Sequence, residues 1–222
     1  MARILKPGPD GLSDPVVDAA ASILLDGGAV AYPTETFYGL GVNAENEAAV
    51  SKIFDIKGRD FNHPVSVIIG AASQLDALVD HVPPSARRLI AVFWPGPLTV
   101  VFQAAPDVSK QLTAGTGTIG VRLAGSVFAR RLALKAGVAV TATSANRSGA
   151  PACTTAQAVM DQIGDRIDAV VDVAEEGTPV GSTIVDVTGR IPVILRPGVI
   201  TGEEIRRKTG LDVLSGKSEK MS

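Results

Sequence analysis

The sequence predicts an α/β protein: an open, twisted, mixed sheet of parallel and antiparallel strands with flanking helices. Short apolar, β-branched runs alternate with helical-period segments early in the chain, and strand-like runs cluster late, which argues for a mixed rather than purely parallel sheet. Twenty-three glycines and 14 prolines supply the tight connections that such alternation needs. Aromatic residues are only 4% of a chain that is 45% apolar, so the core must be built mostly of Ala, Val, Ile and Leu.

The 222 residues suffice to bury a substantial core. No repeat or Pro/Ser-rich linker divides them, so one domain is expected over 1–222, with its core over about 13–200 and a flexible tail over 208–222. A formal charge of −2 argues against a long nucleic-acid footprint but leaves room for a local basic pocket. The single cysteine, Cys153, excludes an internal disulfide and a cysteine-rich zinc site, and no histidine is placed as its base. No apolar run reaches the ~20 residues of a membrane span and no leader pattern opens the chain, so a cytoplasmic protein is expected.

Residues 1–12 read as a lead-in. Ser13-Asp14-Pro15 is a helix start, Val16, Ala20, Ile23 and Leu24 share one face, and Gly27-Gly28 ends the helix. The strand Ala29–Tyr32 leads into the stretch YPTETFYGLG, residues 32–41. Two threonines, a glutamate and a tyrosine hydroxyl between a strand end and a glycine pair exceed what a reversal needs. On these residues alone the stretch fits a polar surface turn as well as a binding loop.

A helix follows over 46–57, with Gly58 expected in a left-handed turn between Lys57 and Arg59. The two cations either complement the helix dipole or grip a phosphate or carboxylate. Val65–Ile69 reads as a buried strand, followed by helices over 73–80 and 84–93. Trp94-Pro95-Gly96-Pro97 is a rigid connector with the Trp as a packing anchor. Strands at 98–103 and 118–123 enclose a polar, Gly/Thr-rich stretch, 104–117, expected to be mobile. Arg122 stands mid-strand among apolar neighbours, so it either faces solvent or is held by an anion. A helix at 127–136 and a strand at 138–142 lead to Thr143-Ser144-Ala145-Asn146-Arg147-Ser148-Gly149, a second polar loop after a strand. A helix at 154–163, capped by Thr154 or Thr155, precedes strands at 170–173, 182–187 and 191–196. From Lys208 on the chain is polar and expected to fray.

The polar loops together offer Thr34, Thr36, Tyr38, Lys57, Arg59, Arg122, Ser144, Asn146, Ser182 and Arg196. No GxxxxGK[ST] loop, G-x-G-x-x-G turn, G-x-S-x-G elbow or metal-spaced cluster is present. Cations and hydroxyls without a base or nucleophile catalyse by positioning and charge stabilisation, which suits phosphoryl or nucleotidyl transfer.

In order, PTETFYGLG, KGR, WPGPLT, TIGVRL, TSANRSG, GSTIVD and RPG closely resemble the YrdC family of threonylcarbamoyl-AMP synthases, over about residues 27–198. The resemblance implies an ATP-dependent enzyme that joins L-threonine, bicarbonate or CO₂, and ATP into L-threonylcarbamoyladenylate and releases pyrophosphate. Its partners would be downstream tRNA-modifying proteins that accept the adenylate, with weak tRNA contact at most. By position, Lys57 and Arg59 would be catalytic. ATP would be bound by Lys57, Arg59, His63, Thr118, Ser144, Asn146 and Arg196, with Mg²⁺ arriving on the phosphates. Threonine would be held by Thr34, Thr36, Tyr38, Arg122 and Ser182.

The chain departs from the family pattern at Phe37, usually Val, and at Asp60 and His63-Pro64-Val65 after KGR. Ile68 stands where a histidine is frequent, and Ala124-Gly125-Ser126 where Pro and His or Asn are usual. The departures gather at the amino-acid end. The chain's end soon after Gly198 is expected of the family's short form. Two other readings stay open here. Carbamoyl-adenylate formation differs in the co-substrate accepted with ATP. An RNA-binding module without turnover would bind tRNA with a steep salt dependence.

Overall fold

The computed structural model describes residues 1–6, 14–58, 64–173, 177, 178 and 180–216. In chain order the elements are β1 (Arg3–Leu5), α1 (Asp14–Leu25), β2 (Val30–Tyr32), β3 (Gly39–Gly41), α2 (Glu47–Lys57), β4 (Val67–Ile69), a 3₁₀ helix (Ala72–Ala77), α3 (Pro84–Phe93), β5 (Leu98–Gln103) and β6 (Thr118–Leu123). They continue with α4 (Val127–Ala136), β7 (Val140–Thr141), β8 (Thr143–Ser144), α5 (Ala156–Ile163), β9 (Ala169–Val171), β10 (Thr183–Asp186), β11 (Val193–Arg196), α6 (Gly202–Thr209) and β12 (Leu214–Ser215).

The strands form two mixed sheets with flanking helices. One has the order β1-β9-β2-β3-β8, the other β12-β11-β10-β5-β6-β4-β7. Parallel ladders (β2 with β9, β4 with β6, β5 with β10) alternate with antiparallel ones (β2 with β3, β3 with β8, β5 with β6). The apolar runs that read as strands are buried on both faces. In β2, β4 and β9, the central Ala31 and Val170 and the outer Val67 and Ile69 join one core cluster. Val30, Tyr32, Ile68, Ala169 and Val171 join the other. That period of two explains an unbroken apolar sequence signal. Small side chains replace aromatics where helices meet: Ala20 and Ala21 of α1 share a cluster with Ala129, Ala133 and Ala136 of α4.

Helix ends follow their sequence signals. Asn46 caps α2 by accepting from Ala49 N–H, Ser126 caps α4 and Thr155 caps α5. Gly58 takes the left-handed turn, with φ of 64°. The capping residue proposed at Ser13 lies outside the described residues.

Four expectations are corrected. The lead-in contains β1, which extends the first sheet by pairing with β9. The segment read as a helix over 73–80 is a 3₁₀ helix over Ala72–Ala77. Residues 104–117 are a tied-down run of turns: Leu112 and Thr113 are buried, and Val65 N–H donates to Leu112 O. Its polar residues satisfy the backbone locally, as Thr113 and Thr116 hydroxyls donate to carbonyls three or four residues back. The tail beyond Lys208 carries β12, parallel to β11, after α6. Helix α6 went unread because its only buried residue is Ile205, too little for a periodic signal. No described helix is long and apolar enough to cross a membrane.

The two sheets meet where the chain passes from β7 to β8 across the single residue Ala142. Thr141, fully buried, holds that seam. Its hydroxyl donates to Leu40 O (3.0 Å) and accepts from Val42 N–H (2.9 Å), while its carbonyl accepts from Tyr32 Oη (2.8 Å). The Tyr32 ring lies across Gly39 and Gly41, where a Cβ would come within 2.9 and 2.6 Å of it. This is why the loop closes on Gly-Leu-Gly. Thr141→Val removes the hydroxyl and takes away the acceptor of the Val42 N–H, which should cost about 1–3 kcal/mol in urea unfolding. A loss below about 0.5 kcal/mol would mean that the seam does not depend on this hydroxyl.

Candidate active site

A cleft of about 380 Å³ opens at the seam. The 33–38 loop supplies Thr34, Thr36, Phe37 and Tyr38, β4 supplies Ile68 and β6 supplies Arg122. Ala142, Thr143 and Ser144 come from the crossing point, and Gly181, Ser182 and Arg196 from the start of β10 and end of β11. Seven of the residues picked from the sequence therefore line one cavity, although they lie up to 162 positions apart (Thr34 to Arg196).

Lys57 and Asn146 stand just behind Ser144 and are engaged with each other. Lys57 is buried, and its ammonium donates to Ser144 O (2.6 Å), Asn146 O (3.1 Å) and Asn146 Oδ1 (3.1 Å). Asn146 Oδ1 also accepts from Ser144 Oγ (2.5 Å), and Nδ2 donates to Ala150 O (2.6 Å) and Arg147 O (3.0 Å). An ammonium has three N–H donors, so Lys57 acts in this arrangement as the clamp of the Ser144–Asn146 loop and lends the cleft its charge from behind. Thr118 lies four residues before Arg122 on β6 and does not line the cleft; its hydroxyl pairs with Thr116 Oγ1 (2.9 Å). Arg59 and His63 lie outside the described residues.

The polar side of the cleft is organised by a residue absent from the pooled candidates, Glu35. Its carboxylate meets Arg122 Nη2 at 2.7 Å and accepts from the Gly125 and Ser126 N–H groups at 2.5 and 3.1 Å. Burial by itself would raise the Glu35 pKa. The charge and hydrogen bond of Arg122, with the Gly125 N–H, outweigh burial and hold the carboxyl below the ordinary glutamate value. The sequence did carry a signal: a buried mid-strand arginine demands an anion, and Glu35 is the only carboxylate in the 32–41 stretch.

Across the cleft, Arg196 donates to Ser182 O (2.9 Å) and Ser182 Oγ (3.0 Å). Its pKa is pushed down, first by burial and then by the positive charge of Arg122. An arginine stays protonated at neutral pH regardless, so the repulsion marks a place where an anion is favoured. Cys153 is buried behind the cleft, its thiol pushed up chiefly by burial, which disfavours a reactive thiolate. Among the described residues no group of His, Cys, Asp and Glu could hold a metal ion. A divalent cation here would depend on ligand oxygens.

The family profile Sua5/YciO/YrdC, described as telomere recombination, matches residues 22–198. The chain is 41% identical over 199 residues to the threonylcarbamoyl-AMP synthase of Bacillus subtilis, covering 89% of this chain and 58% of that one. It is 36% identical over 207 residues to a putative threonylcarbamoyl-AMP synthase of Mycobacterium tuberculosis, covering 93% and 94%. Among solved structures, that of Pyrococcus abyssi Sua5 complexed with L-threonine superposes with a TM-score of 0.88 at 35% identity, covering 96% of this chain and 62% of that chain. The chain thus spans less than two thirds of the B. subtilis and P. abyssi proteins.

The lowered Glu35 pKa has a pH signature. A carboxylate depressed in the folded state contributes stability above its unfolded pKa of about 4.3 and loses it as pH falls through the folded value. Urea unfolding from pH 7 to pH 3 should therefore show the gap between the wild type and Glu35→Gln narrowing as pH falls. A gap that stays constant across that range would contradict the assignment.

Proposed function

The chain belongs to the Sua5/YciO/YrdC family, and from that premise we propose that it is an L-threonylcarbamoyladenylate synthase. It would join L-threonine, bicarbonate or CO₂, and ATP, with release of pyrophosphate, in the cytoplasm and as a single domain. The adenylate would pass to tRNA-modifying proteins. The observation that carries this reading is the cleft itself: two guanidiniums, Arg122 and Arg196, face a hydroxyl-lined cavity that has Lys57 behind one wall.

The residue chemistry supports the steps. The threonine carboxylate pairs with Arg122 beside Thr34, Thr36, Tyr38 and Ser182, which leaves the amine directed outward. The amine nitrogen forms a bond to the carbon of CO₂ and loses a proton to solvent, giving a carbamate. A carbamate oxygen attacks the α-phosphorus in line, and the bond to the pyrophosphate oxygen breaks as the new P–O bond forms. Ser144, Asn146, Thr118, Arg196, Lys57, Arg59 and His63 are assigned to the nucleotide. Lys57 acts by charge and by fixing the Ser144–Asn146 loop, and Lys57 and Arg59 offset the charge on departing pyrophosphate. Mg²⁺, carried by the phosphates, would share that charge.

The test is incubation with ATP, Mg²⁺, bicarbonate and one amino acid at a time, with mass detection of the adenylate. Threonine should give the carbamoyladenylate and pyrophosphate together, and leaving out either threonine or bicarbonate should abolish both. Pyrophosphate release that persists without them would count against the reading, as would product formation from carbamoyl phosphate instead of threonine.

A further inference from the structure

We infer that Glu35 is a positioning residue for the amino-acid end of the cleft: through Arg122 it decides which edge of the guanidinium a ligand carboxylate meets. The inference rests on the functional reading above and deepens it.

A guanidinium has five N–H donors in a fixed plane. Arg122 Nε donates to Gly96 O at 3.2 Å, and Nη2 is held by Glu35 Oε1 at 2.7 Å. Its further contacts, from Nη1 and Nη2 to Thr36 Oγ1, are long at 3.4 and 3.5 Å. The Nε edge and the outer corner at Nη2 are thus fixed by protein, and Nη1 is the part left to a ligand in the cleft. Glu35 is itself held by backbone. Its carboxylate sits on the N–H groups of Gly125 and Ser126, at the head of α4, and Thr178 N–H donates to Glu35 O. A Cβ at position 125 would lie 2.9 Å from Glu35 Oε1, so this approach needs glycine.

The neighbouring hydroxyls strengthen the point. Thr34 Oγ1 donates its one proton to Phe37 O at 2.6 Å, and also accepts from Thr36 N–H at 3.1 Å. The 3.0 Å contact between the two hydroxyls must then be donated by Thr36. The proton order is fixed: Arg122 to Thr36, Thr36 to Thr34, Thr34 to Phe37 O. Neither threonine retains a proton for a ligand carboxylate. The carboxylate then takes its hydrogen bonds from the cations and the other hydroxyls of the cleft, which gives weight to the aim of Arg122. Glu35→Gln keeps the size but removes the charge that pairs with Arg122, and with its oxygen in the Oε1 place it sets an NH₂ group against the Ser126 N–H, so the carboxylate's full hold on Arg122 and the α4 head is lost.

With wild-type protein first shown to make the threonine adenylate, the test is a double-mutant cycle of Glu35→Gln and Arg122→Gln. Threonine Kd by calorimetry and KM for threonine and ATP are the readouts. Glu35→Gln should raise KM and Kd for threonine by about tenfold or more, the scale of one charge-assisted hydrogen bond, with KM for ATP within about threefold. Added to Arg122→Gln, it should have little further effect on threonine Kd, because it acts through that arginine. Glu35→Asp, which keeps the charge, should recover part of the loss and provides a second variant if the glutamine protein is poorly folded. Unchanged threonine affinity, additive losses, or equal losses for threonine and ATP would overturn the inference. Wild-type protein that makes no threonine adenylate would overturn the functional reading itself, and this inference with it.

Discussion

The buried pair between Glu35 and Arg122 is the constraint around which the cleft is arranged. Two charges removed from water are costly, and their attraction compensates only when the remaining hydrogen-bonding groups are also satisfied. Here Glu35 has two N–H groups from the head of α4, and Arg122 has Gly96 O as well as the carboxylate, with Nη1 turned to the cleft. One ion pair therefore fixes three elements relative to one another: the 33–38 loop, the end of β6 and the start of α4. Such a pair adds little net stability and a great deal of definition, because any other register of the loop would strand a charge.

The rest of the architecture brings complementary chemistry to that fixed point. The chain passes from one sheet to the other across Ala142, so the edges β3–β8 and β4–β7 are adjacent, and the cleft lies between them. Thr141 and the ring of Tyr32 hold this junction with hydrogen bonds and with glycines that let the ring lie flat. Burial drives the Tyr32 phenol pKa upward, so it remains a neutral donor to the Thr141 carbonyl. Behind the opposite wall, Lys57 draws together the Ser144–Asn146 loop from the end of α2. The result is a cavity with cations on two sides and, among its described lining residues, no histidine, cysteine or carboxylate, an arrangement that favours charge placement over proton abstraction.

Much of this was legible in the sequence because it rests on local or compositional signals. Doubly buried strands read as continuous apolar runs, Gly58 as a left-handed stop, and Thr155 as a cap. The ordered motifs pointed to the cleft residues Thr34, Thr36, Tyr38, Arg122, Ser144, Ser182 and Arg196 together. What was not legible depends on pairing. β1 and β12 are short, and only their partners, β9 and β11, make them strands. The turns of 104–117 look polar because their hydroxyls bind backbone. The hold of Lys57 on the Ser144–Asn146 loop joins residues 87 and 89 positions apart, which no local pattern announces. Glu35 was visible as a loop carboxylate, but its partner lies 87 residues away on another element.

The central claim is that a guanidinium edge, aimed by Glu35, receives the carboxylate of an amino acid. It is tested most directly by NMR of protein labelled with ¹⁵N-arginine, with the Arg122 side-chain signals assigned by their loss in Arg122→Lys. Titration with L-threonine should shift those signals saturably, whereas L-threoninol, which lacks the carboxylate, should leave them in place. Equal shifts with both compounds, or none with threonine, would contradict the account.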